Sequence, residues 1–155
     1  MMTLRPGDKA PGFALKDQSG RLVTLNDFKG KKLALYFYPK DNTPGCTAEA
    51  CSLSENFASL QKDNIFVLGV SADPEASHKK FAEKYRLPFP LLVDEDKKVI
   101  NDYGVWGEKK FMGRKFMGIL RTTFLINEEG MIAHIIDKVK TKAHAAQILE
   151  IWLRK

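Results

Sequence analysis

Two kinds of apolar pattern alternate along the chain. Short continuous runs at residues 33–38, 65–70 and 91–93 read as strands buried on both faces. Between them, Cys46, Ala50, Leu53, Phe57 and Leu60 recur at three- and four-residue spacing and predict one helix over about 44–62. Phe81 and Tyr85 share a face of a second helix that ends near 86, before Pro88 and Pro90 interrupt the chain. Two polar turn signals, Asp-Gln-Ser-Gly at 17–20 and Asn-Glu-Glu-Gly at 127–130, each separate a pair of short apolar segments. They predict hairpins over 13–25 and 121–136.

A glycine-closed helical turn at 26–30, a brief helix at 97–103 and a terminal helix from about 142 complete the order. The terminal helix carries Ala145, Ile148, Leu149 and Trp152 as its apolar stripe, and Arg154 and Lys155 complement its dipole. Strands and helices alternating in this order predict an α/β fold. Its central mixed β-sheet is flanked by helices on both faces and preceded by an N-terminal β-hairpin. No linker-like segment divides residues 1–155, so a single domain is expected.

Composition narrows the function classes. With 44% hydrophobic and 28% charged residues in 155, the chain is that of an ordinary globular domain able to bury a core without staples. No apolar run reaches the roughly 18 residues that span a bilayer, and residues 1–8 lack the apolar core of an export signal. A cytoplasmic location and no membrane partner are expected. The net charge of +6 raises the question of nucleic acid, yet the basic residues are dispersed except at 109–118. That segment repeats Lys-Phe-Met-Gly at a five-residue offset and reads as a solvated basic loop. No recognised nucleic-acid motif surrounds it, so no nucleic-acid partner is expected.

Cys46 and Cys51 are the only cysteines, and both follow the 33–38 strand where it feeds a helix, the usual reactive edge of an α/β sheet. Thr43 is placed to cap that helix, Pro44 suits its first position, and Cys46 falls in its first turn. A thiolate there meets unpaired backbone N–H groups and the positive helix end, which lower a thiol pKa. Lowering it from about 8.5 to about 6 raises the ionised fraction at pH 7 from about 3% to roughly 90%. Gly45 leaves the backbone beside the sulfur unshielded. Cys51, five residues on, lies about 8.6 Å away along an intact helix and roughly 140° around it. A disulfide needs less than about 7 Å, so joining the two requires the first turns to unwind. The alternative of two inert core cysteines fits the capped placement poorly. A metal site fits worse, because C-x₄-C is not a zinc pair and His78, His134 and His144 share no motif. Neither metal nor cofactor is expected.

Pro39-x-x-x-Thr43-x-x-Cys46 resembles the active-site signature of the peroxiredoxins, and Glu49 with Cys51 resembles the bacterioferritin comigratory protein (PrxQ) branch. Similar blocks run through Lys9-Ala-Pro-Gly-Phe13, Val70-Ser-Ala-Asp-Pro74, Leu87-Pro-Phe-Pro-Leu-Leu-Val-Asp94 and Gly118-Ile-Leu-Arg-Thr-Thr-Phe-Leu-Ile126. The resemblance implies a thioredoxin-like fold and a peroxidase for hydrogen peroxide and organic hydroperoxides, serving antioxidant defence. It implies that Cys46 is peroxidatic and becomes a sulfenic acid. Cys51 would resolve that acid as an intramolecular disulfide, which thioredoxin or a similar dithiol donor reduces. It makes Arg121 the active-site cation, Thr43 a cap and a donor to sulfur or peroxide, Pro39 a shield from water, and Glu49 a supporting group. A monomer is implied.

Two rivals remain. A thiol–disulfide oxidoreductase on the same fold would carry C-x-x-C, which is absent. A basic binding or chaperone module would use 109–121, with Phe111 and Phe116 available for stacking.

Overall fold

The computed structural model describes residues 4–153. Its first elements are a hairpin, β1 (Ala14–Lys16) and β2 (Leu22–Thr24), and a 3-10 turn, Leu25–Phe28. Then follow β3 (Lys32–Phe37), α1 (Pro44–Glu55), α2 (Phe57–Lys62), β4 (Ile65–Ser71), α3 (Glu75–Tyr85), β5 (Leu91–Val93) and α4 (Lys98–Asp102). A second hairpin, β6 (Trp106–Phe111) and β7 (Arg114–Ile119), precedes β8 (Thr122–Ile126), β9 (Ile132–Ile136) and the terminal helix α5 (His144–Leu153).

Five strands form the central sheet in the order β5-β4-β3-β8-β9. The helical crossovers return β3, β4 and β5 in parallel, whereas the short turns leave β8 and β9 antiparallel. β3 lies at the centre, and its unbroken apolar run divides by parity. Leu33, Leu35 and Phe37 pack with Phe13, Val23, Ile100 and Phe124 on one side of the sheet. Ala34, Tyr36 and Tyr38 pack on the other with Cys46, Ala50, Leu53, Phe81 and Ile148, from α1, α3 and α5. The mixed sheet with helices on both faces and the N-terminal hairpin are thus as the apolar pattern predicts.

Three expectations need correction. The single helix over 44–62 is two, broken at Asn56, whose side-chain amide donates to the Ser52 carbonyl at 2.8 Å in place of a continuing helical bond. Residues 109–118 are not a loop but most of the β6–β7 hairpin. Its two-residue turn, Met112-Gly113, has positive φ at both positions (51° and 79°), the twist that suits a tight hairpin. The two Lys-Phe-Met-Gly copies therefore take different conformations, one ending in the turn and one running inside β7. Arg121 stands just before β8 rather than opening it. The dipole role expected of Arg154 and Lys155 lies outside the described residues. No described helix is long and apolar enough to cross a membrane.

Candidate active site

The loop between β3 and α1 is held from below by buried polar groups. Tyr38 donates its hydroxyl to Asp41 Oδ1 at 2.5 Å, and Ser77 donates to Asp41 Oδ2 at 2.8 Å. His78 Nδ1 lies 2.6 Å from the same oxygen, and its Nε2 donates to the Leu92 carbonyl at 2.8 Å. The Asp41 amide donates in turn to Asp73. Asp41, Asp73 and His78 converge closely, but their contacts are taken up in fixing the segment that launches α1.

Thr43 has the extended backbone of an N-cap (φ −97°, ψ 156°), and its carbonyl accepts the first helical bond from Thr47 at 2.8 Å. Its side chain does not cap the helix. The hydroxyl donates to the Lys40 carbonyl at 2.9 Å, which closes the preceding turn and corrects the expected cap. Pro44 begins α1, and Cys46 is buried in its first turn at 1% exposure.

Arg121 reaches this turn from just before β8, the strand beside β3. Its Nη2 donates to Cys46 Sγ at 3.3 Å, and its Nη1 donates to Glu49 Oε1 at 2.6 Å. Cys46 and Glu49 are three residues apart on α1 and present their acceptors to one fork. Burial opposes charge on Arg121, but the neighbouring Cys46 and Glu49 outweigh it and hold the guanidinium charged. Gly45 has a use that its sequence position did not reveal. A Cβ there would lie 3.1 Å from Arg121 Nη2, so the missing side chain is what lets the guanidinium approach.

Behind Glu49 stands His144, at the start of α5, which sequence reasoning passed over as one of three unconnected histidines. Gln147 receives the Lys140 amide on Oε1 (2.9 Å) and donates Nε2 to the Lys138 carbonyl (3.1 Å), which fixes the orientation of its amide. Its Oε1 therefore faces His144 Nδ1 at 2.9 Å, and Nδ1 must carry the hydrogen. The opposite nitrogen, Nε2, accepts the Thr123 hydroxyl at 2.7 Å and lies 3.5 Å from Glu49 Oε2. That oxygen is buried with no hydrogen-bond partner. Burial raises the Glu49 carboxyl to about 7 despite Arg121, and burial lowers His144 to about 4, with Arg121 adding to the effect. Burial thus favours the uncharged form of both groups, the protonated carboxyl and the neutral imidazole.

Cys51 is half-buried further along the intact α1, and both thiols are free. Burial and then Glu55 raise its pKa, so its surroundings oppose the thiolate. The structure brings together Cys46, Glu49 and Arg121 of the expected site residues. Thr43 and half-buried Pro39 border them in the β3–α1 segment, and Cys51 stands apart. A surface cleft of about 420 Å³, between residues such as Phe13, Phe28, Leu33 and Asn127, adjoins the opposite end of β3.

The chain is similar to known proteins over most of its length. The AhpC/TSA family model matches residues 6–135. Peroxiredoxin Bcp of Escherichia coli K12 is 48% identical over 155 residues, covering 100% of this chain and 99% of that protein. Among solved structures, a mutant of Xylella fastidiosa PrxQ superposes with a TM-score of 0.91 at 32% identity, over 99% of this chain and 98% of that one. The Xanthomonas campestris bacterioferritin comigratory protein, solved in a study of its alkyl peroxide reduction, gives 0.84 at 36% identity, over 90% and 88%.

Proposed function

The chain belongs to the AhpC/TSA family, among its Bcp and PrxQ peroxiredoxins, and from that premise we propose that Cys46 attacks the peroxide and Cys51 resolves the product. As a peroxiredoxin it is a thiol peroxidase with a hydroperoxide substrate and a thiol reductant. The observation that carries the assignment is the 3.3 Å approach of Arg121 Nη2 to Cys46 Sγ at the start of a helix. A fixed cation, a directed N–H and the positive end of α1 all favour negative sulfur, and the same fork can steady charge on the departing oxygen.

The sulfur takes the terminal oxygen of R–O–O–H, the O–O bond breaks, and the leaving alkoxide gains a proton to become an alcohol, or water from hydrogen peroxide. Thr43, whose own proton is committed to Lys40, keeps lone pairs that can accept the peroxide O–H. Pro39 limits water at the sulfur. The Cys46 sulfenic acid then condenses with the Cys51 thiol, releasing water and forming the disulfide, and a dithiol donor returns both sulfurs to thiols. Glu49 lies between the two cysteines on α1, so the unwinding that joins them must also release Glu49 from Arg121.

Thioredoxin is the proposed donor, hydrogen peroxide and organic hydroperoxides the substrates, and a cytoplasmic monomer of one domain the working form, without nucleic-acid partners. The test is NADPH consumption with thioredoxin, its reductase and either hydrogen or alkyl peroxide. Cys46→Ser should abolish turnover, and mass spectrometry of the oxidised protein should find residues 46 and 51 joined. Normal turnover by Cys46→Ser would refute the assignment.

A further inference from the structure

The β6–β7 hairpin has no part in that chemistry, yet it concentrates the chain's exposed apolar surface. Of seven large hydrophobic residues exposed among the described residues, Phe111, Met112, Phe116 and Met117 lie on it and Leu120 follows it directly. Clustered exposure of this kind marks an interaction surface, whereas scattered apolar residues do not.

The order along the ribbon indicates the partner. Phe111 and Met112, 68% and 86% exposed, occupy the tip. Arg114 stands opposite Phe111 at that tip, and one step back Lys110 and Lys115 face each other across the strands. Like charges directly opposite one another weaken a two-stranded ribbon unless an anion lies between or over them. The only acid on the ribbon, Glu108, stands 4.0 Å from Lys115 with both side chains mostly exposed. Apolar side chains at the tip with cationic ones beside and just behind them suit an anionic membrane surface, where acyl chains lie beneath phosphates that long basic side chains can reach. The chain's net charge of +6 acts in the same direction.

We propose that the β6–β7 hairpin docks this protein onto anionic phospholipid bilayers. Phe111 and Met112 enter the interface, while Lys110, Arg114 and Lys115 lie among the lipid phosphates. This differs from the sequence expectation of no membrane partner, which rested on the lack of a spanning segment and could not see a hairpin. The ribbon also links the surface to the site. Lys109 donates to the Ile119 carbonyl at 3.0 Å, and its pKa is lowered by burial and by Arg121, with Cys46 opposing. β7 runs from the tip to Ile119, two residues before Arg121, so docking would hold the Cys46 turn at a fixed reach above the lipid.

Sedimentation of the full chain with vesicles tests this without reference to peroxidase activity. Vesicles of phosphatidylcholine with phosphatidylglycerol in a two-to-one ratio should pellet the protein, pure phosphatidylcholine should not, and added salt should release it. Phe111→Ser with Met112→Ser, and separately Lys110→Glu with Lys115→Glu, should each weaken vesicle binding about tenfold or more. Both double variants should keep wild-type hydrogen peroxide turnover with dithiothreitol as reductant, which shows that they fold. No pelleting by wild type, equal pelleting on both vesicle types, or wild-type binding by the variants would overturn the proposal. A raised KM for thioredoxin in the variants with vesicle binding unchanged would assign the hairpin to the protein donor instead.

Discussion

Glu49 Oε2 faces His144 Nε2 at 3.5 Å, and the fixed Gln147 amide forces the imidazole's other nitrogen to hold the hydrogen. The carboxyl that binds Arg121 on one oxygen therefore finds no donor on the other, because the Nε2 lone pair already takes the Thr123 hydroxyl. Burial of that unpartnered oxygen favours the protonated carboxyl, and a neutral Glu49 would hold Arg121 less tightly.

The pair has a readable signature in stability. Glu49, raised by burial to about 7 from 4.5, favours folding below about pH 4.5, and that contribution is lost as pH climbs through 7. His144, lowered by burial to about 4 from 6.5, contributes above pH 6.5 and loses its contribution as pH falls towards 4. Between these limits the two slopes oppose. Glu49→Gln removes the first, so the variant should gain on wild type by about 1 kcal/mol per pH unit between about pH 4.5 and 7. Urea denaturation at a series of pH values measures this, and parallel wild-type and variant profiles would remove the proton from Oε2.

Arg121→Met should slow the reaction of Cys46 with hydrogen peroxide about 10²- to 10³-fold, the scale of losing one preorganised donor to developing charge. Arg121→Lys should fall between the two, since a point charge cannot serve sulfur and carboxylate at once. Stopped-flow tryptophan fluorescence follows the step. An unchanged rate in the methionine variant would deny Arg121 its role.

Gly45→Ala should fold normally but displace Arg121 by a few tenths of an ångström, since the new methyl would meet Nη2 at 3.1 Å. A rate loss of about tenfold or less is expected, because misplacement of a positioned group by a full ångström costs about 10²-fold. Alanine at full wild-type rate would show that the fork tolerates the shift.

Cys51→Ser should consume one equivalent of peroxide and stop as the Cys46 sulfenic acid. In wild type, oxidation should accelerate hydrogen exchange at the amides of 44–51 while those of β3 stay protected. Exchange unchanged on oxidation would show that the two sulfurs meet without unwinding α1.

How much of this was legible follows from the range of each interaction. The strands, the helix start at Pro44 and the first-turn place of Cys46 rest on local apolar period and backbone chemistry, which the sequence carries openly. Arg121 became a candidate only through family resemblance, since its approach to Cys46 is made across the sheet. His144 and Thr123 gave no signal at all, because their meaning lies in packing α5 against α1 and β8. The β6–β7 hairpin was missed because Met112-Gly113 is a weak turn signature and because a ribbon exposed on both faces shows no alternation.

The break at Asn56 would set the scale of the motion that the proposed Cys46–Cys51 disulfide requires. A segment as short as α1, 12 residues, is not stable as an isolated helix and owes its shape to the surfaces around it. Because the Asn56 amide already occupies the Ser52 carbonyl, melting from Pro44 meets a ready-made boundary before α2, where Leu60 is sunk in the core. The fold thereby acts as a firebreak. Opening of the first turns would then spend the contacts of Cys46 and Ala50 with the core and the Glu49–Arg121 pair, while α2 keeps its hold through Leu60.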